Sequence, residues 1–199
     1  MHAPKKFKKA FMAQLLVSLR AAGQASKSMG LRERRDAVRL SSDVAMALAS
    51  SAARARAAAP RPAPAWARAL VASHAAERRN EELMRRIMGG AGYEMAAAAA
   101  AARGRKEARS RRIVRRSRRV CSGAAGRKRR ASGAGAGGAM AAARRMVKAR
   151  LQVLRSLVPG GEALRGLSLL SETLDYVVCL KTQVELMQCL CKGSRPKLG

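Results

Sequence analysis

The sequence predicts an all-α protein in which two helices joined by a loop form a dimerisation domain near the C-terminal end. Short helices precede this domain, and a long, disordered basic linker separates the two parts. Three observations predict this arrangement. Apolar residues recur at helical spacing in several segments. Leu, Ile, Val and Phe together number only 36 of 199 residues, yet 17 of them fall between Val147 and Leu190. The chain also carries 42 Lys and Arg against 12 Asp and Glu, a formal charge of +30.

Composition excludes several classes of protein. Charge of this density opposes compaction and favours polyanions or acidic surfaces as partners, so an ordinary soluble enzyme is a poor hypothesis. No apolar run is long enough to span a bilayer, so no membrane partner is expected. Four Cys and two His provide neither a disulfide framework nor a metal-ligand spacing. We therefore expect no catalytic residue, metal, cofactor or small-molecule substrate, and a cytosolic or nuclear protein.

Residues 1–90 are predicted to form an N-terminal helical region. Phe7, Phe11, Leu15 and Leu19 recur every four positions among lysines, which indicates a basic amphipathic helix from residue 5 to residue 19. A helix packed on its neighbours is consistent with this pattern. A mitochondrial transit peptide is the alternative, because no acidic residue precedes Glu33.

Two further helices follow in this region. Residues 31–48 have a weaker helical pattern, and residues 52–64 read as a linker because their prolines remove backbone donors. Residues 66–88 are predicted to form one helix that Gly89-Gly90 ends. His74 lies in this helix, and we assign it no chemistry.

Residues 91–139 are predicted to be a disordered linker rich in Ala, Arg and Gly. Fourteen basic residues and one acid lie between positions 103 and 130, and like charge at that density resists collapse. Two clusters in it have the composition of nuclear-localisation or phosphate-binding segments: Arg115, Arg116, Arg118, Arg119, Arg127, Lys128, Arg129 and Arg130.

Residues 140–191 are predicted to form the helix-loop-helix domain, followed by a disordered tail over 192–199. A first apolar stripe ends at Pro159-Gly160-Gly161, and a second, longer one begins about six residues later. Two helices of this length cannot close a core alone, so we expect another chain to cover them. The predicted dimerisation residues are Val147, Leu151, Leu154, Leu157, Val158, Leu167, Leu170, Leu174, Val177, Leu180, Val184 and Met187.

About fifty residues of this segment resemble a basic helix-loop-helix domain. The resemblance is carried by Leu154-Arg155-Ser156-Leu157-Val158-Pro159-Gly160 and by Asp175-Tyr176-Val177-Val178 ahead of Leu180. Upstream, Lys6-Phe7-Lys8-Lys9-Ala10-Phe11 and Arg85-Arg86-Ile87-Met88-Gly89 resemble the plant atypical repressors of this class that restrain cell elongation. The resemblance implies a nuclear protein that dimerises with growth-promoting helix-loop-helix activators, blocks their DNA binding and acts in brassinosteroid or related growth signalling.

The positions that read DNA in this class are degenerate here. In members that bind the E-box, a His or Asn, a Glu and an Arg sit four residues apart, and these positions fall on Ala136, Met140 and Arg144. A Met thioether cannot accept a hydrogen bond from a base amino group as a carboxylate does. Loss of E-box reading is therefore expected. The alternatives are a functional DNA-binding transcription factor or a nonspecific nucleic-acid-binding protein whose contacts weaken with salt. Homodimers and heterodimers both remain open.

Overall fold

The computed structural model describes residues 5–25, 29–122 and 136–193, and the side chains of these residues except 25, 111, 114–122 and 136–139. All regular structure in these ranges is helical, which agrees with the predicted all-α class. The helices are α1 (Lys5–Ala25), α2 (Leu31–Ala55), α3 (Ala65–Ala75), α4 (Glu81–Ser122), α5 (Ala136–Leu157) and α6 (Gly166–Cys191). Short 3-10 turns, Arg78–Asn80 and Gly161–Ala163, precede α4 and α6.

Helices α1 and α2 form the centre of the N-terminal half. The predicted ridge of α1 is buried at Phe7, Phe11 and Leu15. It packs against the alanine-rich stretch of α2 around Met46, where small side chains allow the two helices to approach closely. The hydroxyl of Ser41 donates a hydrogen bond to the carbonyl of Ser18 across this contact. The described part of α1 is thus a packing helix of the core.

Residues 66–88 are not the single helix that the sequence predicts. Helix α3 ends at Ala75, Glu77 is extended, and the chain resumes helical geometry only through the turn at Arg78–Asn80. The side-chain amide of Asn80 donates to the carbonyl of His74, 3.1 Å away, and so satisfies a backbone acceptor at the end of α3. This local hydrogen bond stabilises the break.

The linker prediction is also corrected in part, because residues 91–122 lie in α4. Gly89 does interrupt the helix, with φ of 76°, but helical geometry continues on its far side. There Tyr93 and Ala96 are buried in a second core cluster with Leu83, Met84 and Ile87. This packing stabilises the part of α4 that follows Gly89. The alanines after it have the highest intrinsic helix propensity of any residue. Residues 123–135 and 194–199 lie outside the described residues.

The loop between α5 and α6 packs against α3. Val158 is buried in the first core cluster, and the chain then turns at Gly160 with φ of 75°. A β-carbon at Gly160 would lie 2.8 Å from the Cβ of Ala69. Glycine is therefore required here both by its backbone angle and by the close approach of the loop to the helix.

Replacing Gly160 with Ala is expected to lower the free energy of unfolding by about 1–3 kcal/mol, since it combines strain at positive φ with a steric clash. The control is Gly166→Ala, because Gly166 also has positive φ but has open space around its Cβ position. Urea unfolding followed by circular dichroism measures both variants. Equal losses in the two would contradict the close packing of the loop on α3.

Candidate protein-interaction surface

Helix α6 has two different faces. The inner face is buried against the N-terminal half at Leu169, Cys179, Thr182 and Leu186. Cys179 and Leu186 belong to the same core cluster as Phe7, Phe11 and Trp66. Cys179, Thr182 and Leu186 follow one another at intervals of three and four residues, so they lie on one side of the helix.

A polar network fixes the N-terminal part of this inner face. The guanidinium of Arg54 contacts the carboxylates of Glu172 and Asp175, at 3.4 and 3.1 Å. The indole N–H of Trp66 donates to Asp175 at 2.8 Å, and the Trp66 ring lies 5.1 Å from that of Tyr176. Trp66 is fully buried. The network therefore joins α2, α3 and α6 around one tryptophan.

Glu172 also caps α3. Its carboxylate accepts a hydrogen bond from the backbone N–H of Ala65 at 2.8 Å and a longer one from that of Trp66 at 3.4 Å. Pro64 stands at the N-cap position and has no side chain that can bond these groups. A carboxylate from α6 thus satisfies the free amides at the N-terminus of α3, where the helix dipole favours a negative charge.

Replacing Glu172 with Ala is expected to destabilise the chain by about 1–3 kcal/mol, because two backbone amides lose their acceptor and Arg54 loses one of its two carboxylates. The matched control is Glu185→Ala on the same helix, since the partner of Glu185, Lys181, is exposed and 4.0 Å away. Thermal unfolding compares the two. A Glu172 variant as stable as the Glu185 variant would contradict the capping role.

A second polar contact lies farther along the inner face. The amide of Gln183 donates to Asp43 at 3.0 Å and to the hydroxyl of Ser42. The other oxygen of Asp43 is 3.2 Å from Nε2 of His74. His74 thus has a structural partner in Asp43.

Two side chains of this face, Cys179 and Tyr176, have a raised pKa because they are buried. Burial, reinforced by the charge of Asp175, raises the pKa of Cys179 to about 12. Burial and the nearby Asp43 also raise the pKa of Tyr176. Both side chains are therefore neutral at physiological pH, as their place in an apolar contact requires.

The opposite face of α6 is apolar and open. It carries Leu167, Leu170, Leu174, Val177 and Val184, which we call the α6 seam, and all five are exposed. Their spacing of three, four, three and seven residues matches the 3.5-residue repeat by which a helix pairs with another helix. Leu174, at the middle of the seam, is 52% exposed. Nothing in the described chain covers this row.

Helix α5 is also largely uncovered. Val147, Val153 and Leu157 are exposed, Leu151 and Leu154 are half-buried, and contact with the remainder of the chain is concentrated near the loop. A helix of this length gains little stability from intrinsic propensity alone, since most helical stability comes from tertiary packing. Val147, Leu151 and Leu154 are four and three residues apart on one side of α5, and we call them the α5 stripe. The α5 stripe is at most half-buried and the α6 seam is exposed, so no element of the described chain fully covers either row.

The structure separates the predicted dimerisation residues into three groups. Val158 is buried in the intrachain core, and Leu180 and Met187 pack against it. The half-buried Leu151 and Leu154 lie on α5, and the other predicted dimerisation residues are exposed. One side of the helix pair is thus covered by the protein's own N-terminal half, a contact that apolar periodicity alone does not predict.

The positions predicted to be degenerate DNA-reading positions lie on the N-terminal half of α5. Met140 and Arg144 are exposed there, while the side chain of Ala136 lies outside the described residues. The side chains of four predicted basic residues also lie outside the described residues, although their backbone is helical: Arg115, Arg116, Arg118 and Arg119. Arg127, Lys128, Arg129 and Arg130 lie outside the described residues altogether.

Arg54, Trp66, Glu172 and Asp175 were not among the predicted site residues. One signal in the sequence could have found the two acids: they lie three residues apart among apolar neighbours, which fits either a solvated face or an interhelical contact. The structure shows the interhelical contact. Among the described residues no group of His, Cys, Asp or Glu has the arrangement of a metal site. None of the described helices is long and apolar enough to cross a membrane.

Comparison with known proteins yields two partial matches. The chain is 45% identical over 56 residues to transcription factor IBH1-like 1 of Arabidopsis thaliana, and the matched residues are 28% of this chain and 31% of that protein. It is 54% identical over 41 residues to transcription factor IBH1 of Oryza sativa subsp. japonica, which is 21% of this chain and 20% of that protein. Part of this chain is similar to plant transcription factors. The matches span less than a third of either relative. No protein-family profile and no solved structure matches the chain.

Proposed function

We propose that this protein is a nuclear transcriptional regulator of plants that acts by pairing with another helix-loop-helix protein. The observation that carries the proposal is the pair of uncovered apolar faces, the α6 seam and the α5 stripe, on a helix pair whose inner face is already occupied. Similarity to two proteins named as transcription factors supports the transcriptional role. Exposed apolar rows of this kind are typical of interaction surfaces.

The proposed mode of action is inhibition. Met140 is exposed at the position where E-box readers carry a Glu, so a dimer containing this chain lacks one of its two base-reading helices. A helix-loop-helix activator bound to this chain therefore has no second subunit that reads the other half of the E-box. We propose that the protein thereby restrains growth-promoting activators in cell elongation, in the setting of brassinosteroid or related signalling.

A gel-shift competition tests this function. The probe is an E-box-binding helix-loop-helix activator recovered in a binding screen with the full chain as bait. At physiological ionic strength, about 0.15 M, we expect the full chain to remove the activator's E-box complex without adding a band of its own. A new band selective for the E-box would favour direct DNA binding. An activator complex that persists at saturating concentrations of the chain would contradict inhibition.

Nonspecific nucleic-acid binding is a second candidate, because four cations in the C-terminal part of α4 are exposed: Arg105, Lys106, Arg109 and Arg112. Contacts of this kind bind any duplex at low salt and weaken steeply as salt rises. Equal affinity for E-box and scrambled duplexes at physiological salt, together with no effect on the activator, would favour this candidate.

A further inference from the structure

We infer that the partner presents acidic side chains to α5, and that charge thereby selects a different protein over a second copy of this chain. The inference rests on the proposed function, because it specifies the partner of the same surface. It starts from the composition of α5, which contains five cations and no acid. Four of these cations, Arg144, Arg145, Lys148 and Arg150, are exposed.

The cations lie beside the apolar stripe. Arg144 and Lys148 are four residues apart, so they project from the same side of the helix, next to Val147 and Leu151. Arg150 falls on the opposite edge by helical periodicity. A partner helix that covers the stripe therefore comes within a few ångströms of positive charge along both of its edges. Acidic residues at those places are attracted, and cations are repelled.

The helix pair of a second copy has few acids to offer. Between residues 136 and 191 the sequence holds four acidic residues. Glu172 and Asp175 are already bound to Arg54 and to the amides and indole of α3. Glu185 lies 4.0 Å from Lys181 on its own helix. Of the four acids, only Glu162 in the loop has no such contact among the described residues. Self-pairing would thus bring two cationic α5 helices together with little to compensate them.

Nucleic acid would also neutralise these cations, but it does not match the whole surface. Val147, Val153 and Leu157 are exposed on the same helix, and phosphates offer no apolar area to cover them. An amphipathic helix with acidic flanks satisfies both features at once. The geometry therefore points to a protein partner of that chemistry.

The test uses a second copy of the full chain as the probe. In this copy, the α5-reversed chain, the four exposed cations are replaced: Arg144→Glu, Arg145→Glu, Lys148→Glu and Arg150→Glu. Sedimentation velocity measures association of the wild type alone, the reversed chain alone and their mixture, at low and high salt. The matched control reverses four exposed cations of α4 instead: Arg105→Glu, Lys106→Glu, Arg109→Glu and Arg112→Glu.

We expect the mixture to associate at least about tenfold more tightly than the wild type alone at low salt, with the difference narrowing as salt screens the charges. The α4 control mixed with wild type should show no such gain. A mixture no tighter than the wild type alone, or a gain equal to that of the α4 control, would overturn the inference.

Adding Leu174→Glu to both chains distinguishes failure of the inference from failure of the proposed function. If the wild type pairs with itself as tightly as the mixture and Leu174→Glu abolishes that pairing, the seam stands and the charge inference fails. If the mixture is unaffected by Leu174→Glu, the seam is not the interface and both fail. Absence of a mixed pair, with α5-dependent binding of a scrambled duplex, would assign the cations to nucleic acid and overturn the inference.

Discussion

Replacing Leu174 with Glu is expected to weaken pairing with a helix-loop-helix activator at least about 30-fold while the chain remains folded, because truncation or charging of a central interface residue typically costs about 2 kcal/mol or more. Leu174 lies at the middle of the α6 seam and is 52% exposed. In the free chain a glutamate there remains solvated. In the complex it would be desolvated against an apolar helix without a partner.

The control for this variant is Ser171→Glu, because Ser171 is an exposed residue of α6 outside the seam. Isothermal titration with the activator gives the affinities, and circular dichroism shows whether both variants keep the helix content and melting temperature of the wild type. Equal affinities for the Leu174 and Ser171 variants would contradict the assignment of the seam. A Leu174 variant that loses its fold would place Leu174 in the core of the chain instead.

Replacing Trp66 with Ala is expected to have the largest effect on stability, a loss of about 3–5 kcal/mol, as for other fully buried aromatic residues. Trp66 is fully buried, contacts Tyr176 and donates to Asp175, so its removal leaves a cavity where α3 meets α6. The carboxylate of Asp175 then retains only its contact with Arg54.

Trp66→Phe is the comparison for this variant, since it keeps an aromatic ring and removes the indole donor. Its expected loss is about 1–3 kcal/mol, the cost of a partly buried charged acceptor losing one hydrogen bond together with some packing. Urea unfolding followed by circular dichroism measures the free energy of unfolding of both variants. A Trp66→Ala chain that unfolds at the wild-type midpoint would show that α6 is not held by this contact.

Periodicity identified the elements near the C-terminal end well. The predicted second helix, from Leu167 to Cys191, corresponds to α6 at Gly166–Cys191, and the terminator at Pro159-Gly160-Gly161 corresponds to the end of α5. Both succeed because their signals are local: apolar residues at helical spacing, and residues that cannot continue a helix. The helix predicted over residues 5–19 succeeds for the same reason, since these residues lie in α1.

The second face of α6 could not be predicted in this way. Glu172 and Asp175 find Arg54 and Trp66 more than one hundred residues away along the chain, and Thr182 and Cys179 are small residues that do not stand out in an apolar pattern. The extent of α4 was missed because charge density argues against order, whereas burial of Tyr93 and Ala96 and the alanine run favour a helix.

Hydrogen–deuterium exchange of the full chain, with and without the activator, tests most directly whether α6 is shared between its own N-terminal half and a foreign helix. We expect residues 140–157 to exchange rapidly in the free chain and to become protected with the activator, together with residues 167–184. Protection in α2 and α3 should stay unchanged. Binding that leaves α5 unprotected, or that strips protection from α2 and α3, would contradict this sharing of α6.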